Sequence, residues 1–161
     1  QLIATLIHEP QLIILDEPFS GLDPVNAELL KEGILSLKKQ GSCVIFSSHN
    51  MEHVEKICDH LVMLNNGKSV LNGVVHEIRE SFGRTKVFLE SPITRDEIAL
   101  LDGVIDVRER EDQTLEITLS NPEVGKEIFR LATADGYIPM FNQQPPTLEE
   151  IFKQKVGEAN V

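Results

Sequence analysis

Two apolar runs in this sequence are each followed by side chains that could do acid–base or metal chemistry. Asp16 and Glu17 come directly after the run LIIL, and His49 follows the run CVIF behind two serines. In an open α/β sheet, ligands gather beyond the carboxyl ends of the strands. If the two runs form neighbouring strands, ~4.8 Å apart, two carboxylates and an imidazole converge on one edge of the sheet.

These three residue types together suit the transfer of a phosphoryl group to water. Asp16 is placed to order a hard cation such as Mg²⁺, directly or through water. Glu17 is placed to act on a water molecule, and His49 could donate a hydrogen bond to a charged oxygen. Taken singly, an acid pair after a strand is more often a helix cap or a solvated loop, and a lone histidine is more often a surface residue. The prediction therefore depends on the whole stretch of sequence around these residues and not on any one of them.

The elements that must position these residues form a βαβ unit. The wholly apolar run Leu12–Leu15 predicts a strand buried on both faces. A helix follows, with Asp23 as its N-cap, Pro24 at its first position and Gly41 after its end. Cys43–Phe46 then predicts the second strand, and a right-handed crossover is expected. Residues 1–9 are predicted to be the end of a preceding helix, which Pro10 stops.

The chain continues with a helix to about Cys58 and a strand at Leu61–Leu64. Asn66-Gly67 predicts a type I′ hairpin turn, which leads into a strand at Lys68–Leu71. The first part is expected to end near Ile78, so that residues 1–80 form one domain.

A second domain is predicted over residues 84–161, because composition shifts at about residues 81–83. Its expected order is βαββαβ, that of a ferredoxin-like sandwich. The predicted elements are strands at Val87–Glu90, Val104–Arg108, Leu115–Leu119 and, as a weaker edge strand, Tyr137–Asn142, with helices at Thr94–Asp102, from Asn121 to Gly136, and after Thr147. Capping boxes at Thr94/Glu97 and Thr147/Glu150 mark two of the helix starts.

Composition excludes several functional classes. The 161 residues carry 15 Lys and Arg against 26 Asp and Glu, a net charge of −11, which repels nucleic-acid phosphates and anionic lipid. No charge-free stretch approaches the ~20 residues that span a bilayer. Cys43 and Cys58 are expected to be buried free thiols in a reducing cytoplasm. The start at Gln1 suggests a piece of a longer protein.

The string LIILDEPFSGLDP, Leu12–Pro24, closely resembles the Walker B segment and D-loop of ATP-binding-cassette (ABC) ATPases. The string SSHNMEHVEKICDHLVMLNNGK, Ser47–Lys68, resembles the segment that carries their switch histidine. The resemblance implies that Asp16 supports Mg²⁺, that Glu17 is the catalytic carboxylate and that His49 senses the γ-phosphate of ATP. It also implies that Ser20, Gly21 and Asp23 belong to a loop that touches the partner cassette in an ATP-sandwich dimer.

Other strings of the family are missing from the chain: the phosphate-cradling G-x-x-x-x-G-K-[ST], the glutamine loop and the LSGGQ-like signature. The resemblance thus implies the C-terminal portion of a cassette, with a partial P-loop NTPase (RecA-like) parallel sheet. We expect this fragment alone neither to hydrolyse ATP nor to bind it tightly. The appended domain is similar to that of exporter-like bacterial ABC ATPases. The string PPTLEEIF, Pro145–Phe152, resembles the terminal motif of that group. A regulatory or dimerising role is expected for it.

By resemblance, the intact protein is the ATP-hydrolysing subunit of a prokaryotic ABC transporter, and the appended domain favours export. Its expected partners are a second ATPase subunit, identical or paralogous, and transmembrane permease subunits, without nucleic acid. It would lie in the cytoplasm, peripherally on the inner face of the cell membrane. Two alternatives stay open: a non-transport ABC ATPase of translation or DNA repair, and a regulatory or interaction module centred on residues 84–161.

Three further sites are disfavoured by the residue pattern. The histidines other than His49 have no metal-ligand spacing, and the two serines before His49 lack the G-x-S-x-G elbow of a nucleophile. The acidic run of Glu109, Glu111 and Asp112 is expected to be a solvated hairpin tip rather than a calcium site.

Overall fold

A computed structural model of the chain describes residues 10–134 and 136–159. The helix predicted over residues 1–9 lies outside the described residues. The protein is mixed α/β, as predicted, and divides into two compact units, Gln1–Leu61 and Val62–Val161. This division precedes the domain boundary predicted at residues 80–84, which stays a prediction.

The first unit is built on a parallel strand pair. Strand β1 (Leu12–Asp16) is followed by helix α1 (Pro24–Lys39), strand β2 (Cys43–Ser47) and helix α2 (Met51–Ile57). The two strands pair in parallel, and the last residues of each, Asp16 and Ser47, are partners in the register.

Local hydrogen bonds explain where the two helices begin. The carboxylate of Asp23 accepts hydrogen bonds from the backbone N–H groups of Val25 and Asn26, which confirms the predicted N-cap of α1. Asn50 caps α2 in the same way. Helix α1 ends at Lys39, and Gly41 follows with a φ of +94°, a conformation that glycine adopts without strain.

Within the described part of the first unit, one face of the β1–β2 pair is covered. Helices α1 and α2 contribute Leu30, Ile34 and Ile57 to a core against which Leu15, Val44 and Phe46 of the strands pack.

The opposite face of the pair exposes Leu12, Ile14 and Ile45 by 53%, 70% and 53%. The prediction that the first strand is buried on both faces is therefore wrong for the part of the chain that the structure describes, because α1 and α2 pack on the same side of the pair. The same bare face carries Cys43, which is exposed rather than buried, while Cys58 is half-buried.

The second unit begins with a hairpin. Strands β3 (His60–Asn65), whose first two residues belong to the first unit, and β4 (Lys68–Val74) pair with each other. Asn66 and Gly67 between them have φ angles of 49° and 76°, which confirms the predicted turn. Helix α3 (Val75–Ser81) follows and was not predicted, because its N-cap, Val74, makes no side-chain capping bond that the sequence could signal.

The remaining elements are the strands of a four-stranded antiparallel sheet and the helices that connect or follow them. They are β5 (Lys86–Glu90), α4 (Arg95–Ala99), β6 (Val104–Glu109), β7 (Leu115–Leu119), α5 (Val124–Ala132), β8 (Met140–Gln144) and α6 (Leu148–Ala159). The strand order is β6-β7-β5-β8, so β8 is an edge strand, as Pro139 predicted. Both predicted capping boxes are present, at the starts of α4 and α6. Helices α4 and α5 are shorter than predicted.

The two faces of this sheet differ in chemistry. On one face, Val87 and Ile117 join Ile98 of α4 and Ile128 of α5 in a fully buried core. On the other face, the ammonium of Lys86 contacts Glu150 of α6, and the side chains of Leu148 and Ile151 are fully buried. Among the described residues, no helix has the length and apolar character needed to cross a bilayer.

Candidate functional site

The candidate site lies in the first unit, at the carboxyl ends of β1 and β2. Because Asp16 and Ser47 are register partners, the residues that follow each strand meet at one edge of the pair. The structure therefore brings Asp16 and Glu17 together with His49, although more than 30 residues separate the acids from the imidazole.

Four hydrogen-bond contacts connect the two segments. The N–H of Glu17 donates to Ser47 Oγ over 3.0 Å, and that hydroxyl donates to Asp16 Oδ1 over 2.5 Å. The N–H of His49 donates to Glu17 Oε1 over 3.0 Å, and His49 Nδ1 lies 2.9 Å from the same oxygen. The acid pair is thus held by the segment that carries the histidine.

The backbone at Glu17 is in an unusual conformation. Its φ of 43° lies in the left-handed region, which costs a non-glycine residue about 1–3 kcal/mol. The Glu17 carbonyl also accepts a hydrogen bond from the N–H of Ser20 over 3.0 Å, which closes a turn directly after the strand. The bonds from both sides of Glu17 offset this strain and fix where its side chain starts.

The ring of His49 has a defined hydrogen on the side facing Glu17. Because a carboxylate oxygen only accepts hydrogen bonds, Nδ1 carries the hydrogen in this contact. In a neutral imidazole, Nε2 is then an acceptor, and it becomes a donor only when the ring is doubly protonated. The His49 side chain is 82% exposed, so its outer edge is open to a ligand.

The loop between β1 and α1 contains the other predicted site residues. Ser20 and Gly21 are exposed, and Gly21 has a φ of 73°, which explains why glycine suits that position. Hydrogen bonds from Asn26, through its backbone N–H and its side chain, hold the pKa of Asp23 below its usual value. The carboxylate of Asp23 therefore serves as the cap of α1, and a nucleotide-binding role for these three residues stays a prediction.

A cluster of aromatic rings in the core of the first unit holds the same loop in place. Phe19 is buried and contacts the Phe46 ring edge-on, with ring centroids 6.0 Å apart. Its ring also lies 4.2 Å from that of His53 in α2. His53 thus packs against Phe19 of the core, and among the described residues the buried Nδ1 of its ring finds no hydrogen-bond partner.

The donor chemistry at this edge fits a hydrated magnesium ion. Mg²⁺ in nucleotide sites is usually held by one or two carboxylates, with water and phosphate oxygens completing the shell. Asp16 is exposed and supplies such a carboxylate, whose second oxygen is not used by Ser47. Within residues 10–134 and 136–159, no group of three or more histidine, cysteine or acidic residues forms a complete protein cage for a metal.

Ser47 is a residue of the site whose role the sequence did not reveal. From the sequence, Ser47 suggests only a nucleophile, whereas the structure places its hydroxyl between Asp16 and the backbone of Glu17. The signal that could have found it is the strand register, since equal positions at the ends of two parallel strands face each other.

A family model described as ATP-binding protein DrrA1-3-like, C-terminal domain, matches residues 73–156. The match runs from the end of β4 through most of α6 and covers more than half of the chain. The chain belongs to the ABC transporter ATP-binding protein family. This agrees with the resemblance of the first unit, on which the acid pair and His49 lie.

Relatives in the ABC transporter family match almost the whole chain. An uncharacterized ABC transporter ATP-binding protein of Alkalihalophilus pseudofirmus is 43% identical over 99% of this chain and 59% of its own length. The uncharacterized protein YhaQ of Bacillus subtilis is 43% identical over 98% of this chain and 52% of its own length. The Nod factor export ATP-binding protein I of Rhizobium etli is 33% identical over 97% of this chain and 48% of its own length. The chain thus spans about half the length of these curated relatives.

Proposed function

We propose that the whole protein hydrolyses ATP and couples this reaction to transport across a membrane. The observation that supports the proposal most directly is the contact of Glu17 with His49, next to Asp16, at one edge of a parallel strand pair. Membership of the ABC transporter ATP-binding family supports ATP as the nucleotide that this cluster would face.

Each residue of the cluster has a role that its contacts support. Both hydrogen-bond contacts described for the Glu17 carboxylate use Oε1, so Oε2 is the atom that would orient or deprotonate the attacking water. His49 would donate to a γ-phosphate oxygen from Nε2 when its ring is doubly protonated. Asp16 would hold Mg²⁺ through water. The metal, when bound with ATP, would neutralise charge that develops on the phosphates.

Further parts of the proposal concern folds and partners. The first unit would be part of a RecA-like nucleotide-binding domain, in which Ser20, Gly21 and Asp23 face a second ATPase subunit and its nucleotide. Residues 84–161 would form a ferredoxin-like domain, which the order β6-β7-β5-β8 and the two βαβ connections support. This domain would regulate or stabilise the dimer.

The transport direction that we propose is export. It rests on the appended domain and on a relative whose printed name is Nod factor export ATP-binding protein I, 33% identical to this chain. The protein would act in the cytoplasm, docked on permease subunits at the inner face of the membrane. Co-purification of the whole protein with a membrane permease tests this; its recovery with ribosomes or DNA instead would contradict it.

The residues present here would not support catalysis by themselves. Backbone amides of a phosphate-binding loop supply much of the affinity for nucleotide in P-loop proteins, and the sequence has no such loop. We expect calorimetry with Mg-ATP to detect no tight binding to the 161-residue chain. A micromolar Kd would contradict this part of the proposal.

The decisive experiment is Glu17→Gln in the whole protein. Glutamine keeps a carbonyl oxygen that can accept from His49 but cannot act as a base, so turnover should fall by about 10²- to 10⁴-fold, and an ATP-bound dimer should accumulate. Glu32→Gln makes the same chemical change on an exposed residue of α1 and should leave turnover unchanged. Normal turnover of the Glu17→Gln variant would refute the assigned role.

A further inference from the structure

Ser47 occupies a position that no part of the proposed mechanism has used. Its hydroxyl lies between the N–H of Glu17 and the carboxylate of Asp16, at 3.0 and 2.5 Å. The N–H of Glu17 can only donate, so Ser47 Oγ accepts there and its own hydrogen is directed to Asp16. One hydroxyl thus connects the backbone of one acid to the side chain of the other.

The bond from the Glu17 N–H to Ser47 Oγ lies next to a strained position of the backbone. Glu17 has a φ of 43°, and on its N-terminal side the pairing of β1 and this bond hold the chain in place. Without the hydroxyl, the N–H of Glu17 loses its described acceptor and the carboxylate of Asp16 loses a donor. Glu17 could then relax toward ordinary backbone angles, which would move its carboxylate relative to Asp16.

We propose that Ser47 is a positioning residue that sets the geometry of Asp16 and Glu17 for ATP hydrolysis. The inference rests on the proposed function, because it takes Glu17 to act on water and Asp16 to support Mg²⁺. Ser47 contacts neither ATP nor water in this scheme and acts through the two acids. Displacing a reacting group by about 1 Å can cost about 100-fold in rate, so the loss should fall on kcat.

The same strand offers a matched control. Ser42 precedes β2 and donates from its hydroxyl to the carbonyl of Pro10 over 2.8 Å, so it too connects the β2 end to the segment of β1. It lies at the amino ends of the strands, at the opposite end of the pair from the acids. Ser42→Ala therefore removes an equivalent interstrand hydrogen bond without touching the site.

The test compares Ser47→Ala, Ser47→Thr and Ser42→Ala in the whole protein. Ser47→Ala should lower kcat for ATP by about 10- to 100-fold with KM for ATP changed by less than about threefold. Threonine keeps the hydroxyl and suits a strand end, so it should restore kcat to within about threefold. Ser42→Ala should behave like the unmodified protein.

A second readout does not depend on turnover. Amide hydrogen exchange at Glu17, followed by NMR after glutamate labelling, should accelerate by at least about tenfold in Ser47→Ala and not in the other two variants. Exchange at Val44, inside β2, reports whether the strand pair is intact. If Ser47→Ala does not fold, Ser47→Val replaces it, since valine has the shape of threonine without the hydroxyl.

The outcomes separate the two proposals. If Glu17→Gln abolishes turnover and Ser47→Ala does not, the positioning role is wrong and the ATPase proposal stands. If turnover is insensitive to Glu17→Gln, the ATPase proposal fails, and Glu17 exchange alone decides whether Ser47 positions the acids. Unchanged exchange at Glu17 in Ser47→Ala, or a Ser47→Thr variant as defective as Ser47→Ala, overturns the inference.

Discussion

Replacing Lys86 with methionine should destabilise the second unit, because it removes the cation that joins α6 to the sheet. The Lys86 residue is only 8% exposed. Its ammonium lies 2.9 Å from Glu116 Oε1 and 2.7 Å from Glu150 Oε1, and it donates to Thr118 Oγ1 over 3.1 Å. Methionine has similar length and no charge, so the change isolates the ionic contacts from the packing of the side-chain stem.

The expected loss of unfolding free energy depends on which hydrogen bonds Glu116 and Glu150 retain without Lys86. Removing one partner of a fully buried ion pair costs about 3–5 kcal/mol. Here Glu116 keeps two hydrogen bonds from Arg110, and Glu150 keeps the N–H of Thr147. The Glu150 side chain is also 37% exposed, so solvent screens its charge. We therefore expect a loss of about 2 kcal/mol in the free energy of unfolding of this unit.

Amide hydrogen exchange at Val87 and Ile117, register partners in β5 and β7, measures the opening free energy of this unit by itself. Lys126→Met is the matched control, because Lys126 pairs with Glu123 on the surface of the same unit and its side chain is 66% exposed. The control removes the same charge and should cost at most about 0.5 kcal/mol. Equal losses for the two variants would refute the reasoning.

Two further predictions concern ionisation. Burial raises the pKa of Glu150 and Glu116, but the hydrogen bonds and charge of Lys86, together with Arg110 at Glu116 and Thr147 at Glu150, outweigh it and hold both pKa values below the usual range. A depressed carboxyl pKa stabilises the fold above the unfolded value, and that contribution disappears as pH falls through the folded value, so the second unit should lose stability below about pH 4.3. The slope of unfolding free energy against pH should be shallower in Lys86→Met, and equal slopes would contradict this. Burial, with a smaller effect of the nearby Asp59 carboxylate, raises the pKa of the Cys58 thiol to about 11, so only about 0.1% is thiolate at pH 8. Iodoacetamide should therefore label the exposed Cys43 more than about tenfold faster than Cys58, as peptide mass spectrometry would measure; comparable rates would show that Cys58 is not shielded.

Sequence reasoning succeeded where the deciding contacts are local. The N-cap Asp23, the turn at Asn66-Gly67 and the capping box of Thr94 involve residues a few positions apart, and all three are present. Such contacts need no long loop to close, so residue type and spacing are enough to predict them. Helix α3, which begins after Val74 without a side-chain cap, gave no such signal and was missed.

The candidate site was predicted in part for the same reason. That Asp16, Glu17 and His49 end or follow two apolar strands can be read directly from the chain. Their meeting depended on the two strands being neighbours, which was a condition of the prediction and is met in the structure. The linking role of the Ser47 hydroxyl and the left-handed backbone of Glu17 were not predicted, because each depends on the exact register.

What the sequence determined by itself is the type and order of most elements and the residues at the ends of the strands, because these follow from periodicity and from short-range hydrogen bonds. The tertiary structure alone decided which face of β1 is covered and which partners Lys86 finds in β7 and α6. Both depend on how separate segments pack, and side-chain pairs across strands exist only once one register has been selected among several.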